Sequence, residues 1–208
     1  MASRRYWQLE GRFRVLKRIF LPKRFNKTGT YSSDTLDRAR AFRVLMHAEI
    51  ESYLEDRVLE AARKTFAAWR SAGRASVPLT ALLASFDTSK PKFPHELGAT
   101  PFVQTRVGGI CAQFEARVRE NHGIRSRDVL ALLLTIGVDD GKIDQAWLAT
   151  IDGFGSARGD AAHQSGVRSR VKYQIDPQSD YNTVQVILDG LKALDQELTR
   201  LVESIGGR

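Results

Sequence analysis

Toward the C-terminus, Val184, Ile187, Leu191, Leu194, Leu198, Leu201 and Ile205 recur in steps that alternate three and four. That period sets them on one stripe of a long helix, which must be covered by helices of its own chain or by a partner chain. Asp176 and Pro177 supply the cap and first residue of this helix. Upstream, Ser33 or Asp34 can cap a helix that reaches Ser71-Ala72-Gly73, with Phe42, Leu45, Met46, Ile50 and Tyr53 in one arc widened by Leu54 and Val58. Residues 73–100 read as a long irregular connection holding a helical turn or two around Leu79, Leu82, Leu83 and Phe86. Thr100 and Pro101 then open a helix through Val103, Val107, Ile110, Phe114 and Val118, which Asn121-His122-Gly123 should end in left-handed conformations. Ser126 caps a central helix, Asp128 to Ile136, and Asp144 a short one carrying Trp147. The expected architecture is all-α: an up-down bundle over residues 32–208, preceded by an arm at 1–31.

The charge is concentrated in that arm. Of the net +8 of the 208 residues, all falls in positions 1–27, where nine Lys or Arg face only Glu10. The cations Arg4, Arg5, Arg12, Arg14, Lys17, Arg18, Lys23 and Arg24 alternate with Tyr6, Trp7, Phe13, Phe20 and Phe25. Basic and aromatic side chains together suit a phosphate backbone with exposed bases, so these eight are candidate RNA-binding residues. An extension packing its aromatics on the body, or an amphipath on a membrane surface, fits the same pattern. No continuous apolar run and small-residue cleavage site follow the charges, so the arm does not read as a secretory signal.

Several chemistries find no support in the sequence. The longest uncharged apolar run, Val129 to Val138, is too short for a bilayer, and no membrane partner is expected. The single cysteine, Cys111, lies in an apolar pattern and reads as a buried small hydrophobe, with a reducing cytoplasm as the expected compartment. Asp139-Asp140-Gly141 lacks the rest of a calcium loop, and no Cys/His ligand spacing, glycine-rich strand-to-helix turn or nucleophile elbow occurs. No metal and no cofactor is expected.

What remains is Asp152-Gly-Phe-Gly-Ser-Ala-Arg158-Gly-Asp160-Ala-Ala-His163-Gln-Ser165. A guanidinium can fork onto phosphate oxygens, and an imidazole can move a proton near neutral pH. Five residues on a straight helix separate Arg158 and His163 by about 140°, so the pair is better explained by a site completed by a second chain than by one chain alone. Ala157, Ala161 and Ala162 are small enough for a second helix to approach. A surface Arg158 and Asp160 beside a helix-interface His163 is the structural alternative. Glu49 falls inside the apolar arc of the long helix and should pair with a cation or face a cleft, with Arg158 the favoured partner. His47 lies at the edge of the arc, in line with Arg43 and Glu51, where a surface pair four residues apart is the ordinary reading.

Two stretches, Ala41-Phe-Arg-Val-Leu-Met-His47-Ala-Glu49-Ile-Glu51-Ser-Tyr-Leu-Glu55 and Ile151 to Ser165, are similar to the RiboL-PSP-HEPN branch of the HEPN superfamily, whose hallmark is Arg-x4–6-His. The resemblance spans roughly residues 34–205, places the motif near the start of a late helix, and leaves the arm outside. Gly159 stands where many members carry a polar residue. The resemblance implies a metal-independent endoribonuclease of toxin–antitoxin, abortive-infection or antiviral defence systems, acting as a homodimer with Arg158 and His163 catalytic. His47, Glu49, Glu51, Asp160 and Ser165 would support the site, and an antitoxin or defence-system protein would be a further partner. A non-catalytic RNA-binding or scaffold module of the same type is the alternative.

Overall fold

A computed structural model describes residues 1–86, 102–163 and 175–206, with side chains to Ala157 in the second stretch and to Ile205 in the third. Regular structure among the described residues is entirely helical: α1 Arg4–Phe20, α2 Ser33–Ala72, α3 Val77–Phe86, α4 Phe102–Arg119, α5 Ser126–Thr135, a 3-10 turn Asp140–Lys142, α6 Gln145–His163 and α7 Pro177–Gly206. No helix among them is long and apolar enough to cross a membrane.

α2 is the axis of the assembly, packing against α7, α1, α4 and α6. Its arc is buried as the periodicity requires, with Phe42, Met46, Ile50, Tyr53 and Val58 fully enclosed, while Leu45 at the edge stays exposed. Ser32, one residue ahead of the expected cap, accepts from the Thr35 N–H, and Gly73 ends the helix at φ 62°.

Residues 4–20 of the expected arm form a helix that belongs to the core. Tyr6, Leu9, Phe13 and Leu16, in helical steps, are buried. Phe13 stacks on Tyr181 at 5.7 Å, and the Tyr6 hydroxyl donates to the Leu188 carbonyl at 3.2 Å. Burying side chains of this kind stabilises by roughly 1.5–3 kcal/mol each, enough to hold the helix despite its charge.

The α7 stripe finds its cover within the chain. Val184, Ile187, Leu191 and Leu198 are fully buried and Leu194 and Ile205 nearly so, with α2, α6 and α1 supplying the contacts. The seam is therefore occupied without a second copy. On the α6 side Gly190 has the indole of Trp147 directly over it, and a Cβ there would lie 2.1 Å from Cδ1. The Trp147 Nε1–H donates to the Ile187 carbonyl at 3.1 Å.

α1, α2 and α7 are also joined by a buried polar knot. Asp195 on α7, with no exposed surface, accepts from the Ser3 N–H, the Ser3 hydroxyl (2.7 Å) and the Tyr53 hydroxyl (2.8 Å). The Arg57 Nε lies 3.0 Å away as its counter-ion. Arg57 also meets Glu60 and donates to the Thr199 hydroxyl at 2.9 Å. Burial, followed by the Asp195 charge, pushes the Tyr53 phenol far above its ordinary pKa.

Two local expectations are corrected. Asn121-His122-Gly123 does not take left-handed conformations: positive φ among the described residues is confined to Gly29, Gly73 and Gly137. The α4 end is closed by the Glu120 and Asn121 N–H groups donating to the Ala116 and Val118 carbonyls, and the Asn121 amide donates to Glu55 and to the Gly123 carbonyl at 2.9 and 3.1 Å. Ser126 is the first residue of α5 and not its cap; Arg125 holds the cap position and the Ser126 hydroxyl is turned to Asp152. Thr100 and Pro101 lie outside the described residues.

Candidate functional site at the C-terminal half of α6

Asp144 starts α6 by accepting the Ala146 and Trp147 N–H groups at 2.7 and 3.0 Å. The helix then continues without interruption to His163. Arg158, Asp160 and His163 therefore sit in the last turns of a helix begun at Gln145, not near the start of a separate one. Gly153 and Gly155 are both helical. Gly155 has a packing reason: a Cβ there would lie 3.4 Å from the Arg125 backbone nitrogen and from Arg125 Cγ. Gly153 is exposed, with nothing within 4 Å of a Cβ. The side chains of Arg158, Asp160 and His163, and all of Ser165, lie outside the described residues.

One turn earlier, α6 is locked to the start of α5. The N–H and hydroxyl of Ser126 donate to the same Asp152 oxygen at 2.9 and 2.7 Å. These two bonds, first from the hydroxyl, hold the Asp152 carboxyl below its ordinary pKa, with Arg125 adding to the effect.

α2 packs against α6. Its Arg43, His47 and Glu51 follow one another at four-residue steps. Arg43 is anchored to Asp180 of α7 at 2.6 Å, in a setting where burial pushes the Asp180 carboxyl up against the lowering pull of that guanidinium. His47 Nδ1 lies 3.7 Å from Glu51 Oε2, and the imidazole is only 2% exposed. The pairing follows the expected spacing, but it is an interior pair and not a surface one. Glu49 turns the other way, to α1, where Arg12 Nε meets its carboxylate at 2.8 Å. The cation that meets Glu49 is thus Arg12; the side chain of Arg158, its favoured partner from the sequence, lies outside the described residues.

The eight candidate RNA-binding cations divide in two. Arg5 pairs with Asp56 at 2.7 Å, Arg12 with Glu49, and Arg14 with Glu10, while Lys17 sits 4.1 Å from the Tyr181 ring centroid. Arg4, Arg18, Lys23 and Arg24 are exposed.

The remaining polar candidates have structural roles. Asp139 and Asp140 both accept the Gly141 N–H, at 3.0 and 2.9 Å, and shape the 3-10 turn. Burial pushes the Cys111 thiol up to about 11, with Glu115 adding to it. Sequence reasoning missed Arg57 and Asp195. The signal was present, because Asp195 follows Leu194 inside the α7 stripe, where a carboxylate demands a buried cation. It also missed Arg12 as the partner of Glu49, a contact between helices that no spacing encodes.

No known protein family, curated protein or solved structure matches this chain.

Proposed function

We propose that the chain is a metal-independent endoribonuclease with a HEPN-like up-down bundle, acting in the cytoplasm as a homodimer whose two α6 helices build one composite site. The observation that carries the proposal is the placement of Arg158 and His163 on the last turns of one unbroken helix. At that spacing the two positions are about 140° apart around the axis, so one chain does not present both groups side by side. A second copy supplies the missing half. The outer face of α6 suits close approach: Ala149 and Gly153 are exposed and Ala157 half-buried.

The chemistry follows from the substrate. RNA carries its own nucleophile, the 2′-hydroxyl. His163 takes its proton, the resulting oxyanion attacks phosphorus, and the 5′-oxygen leaves as it is protonated by an imidazolium. Arg158 stabilises the charge that gathers on the phosphoryl oxygens at the crowded intermediate. The products are a 2′,3′-cyclic phosphate and a 5′-hydroxyl. His47 and Glu51, fixed inside α2, support the neighbouring α6 turn by packing and charge. A toxin or antiviral effector of this kind, held in check by an antitoxin or defence-system partner, arrests growth when expressed alone.

Purified protein incubated with transfer RNA and total RNA in EDTA tests the reading. Cleavage with cyclic-phosphate ends, abolished by His163→Ala and by Arg158→Ala, is the expected result. Cleavage that needs magnesium or survives His163→Ala refutes it.

A further inference from the structure

The corner between α4 and α5 concentrates exposed positive charge. Arg117, Arg119, Arg125 and Arg127 fall within eleven residues, with His122 between them, and all five side chains are exposed. Arg117, His122 and Arg127 line a cleft of about 460 Å³ together with Glu120, Asn121 and Asp128. Among the α1 cations, Arg5, Arg12 and Arg14 are matched by Asp56, Glu49 and Glu10, while Arg4 and Arg18 are exposed. At the corner Arg125 feels the charge of Asp152, and the one ion pair there among the described residues is Arg127 Nε to Asp128 at 3.4 Å, made by an arginine side chain that is 92% exposed. Such a contact contributes little.

The corner is also fixed in place relative to α6. Ser126 is tied to Asp152, and Arg125 lies against Gly155, where a Cβ would stand in van der Waals contact at 3.4 Å from its backbone nitrogen and Cγ. On a helix, position 158 lies about 60° to one side of Gly155 and position 163 about 80° to the other. Arg125 therefore stands over the face of α6 that divides those two positions, about one turn before position 158 and about two turns before position 163.

We propose that Arg119, Arg125 and Arg127 form a rim that binds the phosphodiester backbone of single-stranded RNA and leads it to the end of α6. The proposal rests on the ribonuclease reading for what happens at α6, but the binding itself does not. Exposed guanidiniums at one corner suit successive phosphates, each of which contributes counterion release as it is neutralised.

The probe is a fluorescent 2′-O-methyl oligoribonucleotide, which presents the same phosphates and lacks the 2′-hydroxyl needed for cleavage. Its affinity for the full-length chain is measured by anisotropy from about 50 to 200 mM salt. Each lost phosphate contact removes about 0.7 from the slope of log affinity against log salt for a single strand, so R119Q/R125Q/R127Q is expected to flatten the slope by about 2. The charge-preserving R119K/R125K/R127K is expected to restore most of it, which separates charge from any change in folding. An unchanged slope in the Gln variant overturns the rim, as does loss of binding in both variants. Tighter binding of the wild-type chain to anionic lipid vesicles than to the oligonucleotide overturns it as well. Binding by the rim without RNA cleavage by the wild type refutes the nuclease and leaves the rim standing; cleavage with unaltered binding in the Gln variant does the reverse.

Discussion

Removing the Asp195 carboxylate should be among the most destabilising single changes available to this chain. Asp195 is fully enclosed and takes partners from two separate segments: Ser3 at the cap of α1, and Tyr53 with the Arg57 guanidinium on α2. Asp195→Ala leaves Arg57, only 3% exposed, with Glu60 and Thr199 as its remaining partners. Breaking a buried pair from one side costs about 3–5 kcal/mol, and each orphaned buried donor adds about 1–3 kcal/mol. Because Glu60 still shares the Arg57 charge, the expected loss is about 4 kcal/mol, a large part of the 5–15 kcal/mol typical of a domain. Urea unfolding followed by far-ultraviolet circular dichroism measures it directly. The double variant Arg57→Met with Asp195→Leu removes both charges and should lose much less than the sum of the single changes. A loss below about 1 kcal/mol for Asp195→Ala, or strict additivity in the cycle, refutes the view that the knot joins the three helices.

Two further outcomes follow from the packing and from the pH response. Gly190→Ala drives a methyl group into the Trp147 indole, so it should destabilise by about 1–3 kcal/mol and shift tryptophan emission to the red; unchanged emission counts against the contact. Asp152 titrates below its unfolded value because of Ser126, so its contribution is present above about pH 4 and is lost as pH falls through the lowered folded value. Ser126→Ala should therefore flatten the acid limb of a plot of melting temperature against pH, while an identical limb in the variant removes Ser126 as the cause.

The helix ends that carry their own chemistry were legible in the sequence. Gly73, Asp144 and Asp176 stop or start helices through short-range bonds that their residue types announce. α1 was harder to read, since Arg12-Phe13-Arg14-Val15 alternates as a strand does and only the α2 and α7 surfaces select the helical face. The α7 stripe announced that it needed cover without saying whose, because an apolar step of three and four is the same within a chain and between chains. Nothing in the sequence announced that α6 would run unbroken through Gly153 and Gly155, or that Gly155 would pack against Arg125. Arg158 and His163 were legible as a pair on a helix. Their position at its end was not, because it depends on contacts with α5 that lie far away in sequence. His47 and Glu51 illustrate the same limit: spacing paired them, and only the enclosing helices made the pair interior.

The forty residues of α2 contain neither glycine nor proline. At helical rise they form a strut about 60 Å long with no built-in joint. Elements docked near its start and those docked near Trp69 are thus referred to a single axis, and a push or twist applied at one end reaches the other without an intervening hinge. In mechanical terms the bundle is a set of parts mounted on one shaft, and its slowest-exchanging amides should lie along the middle of that shaft.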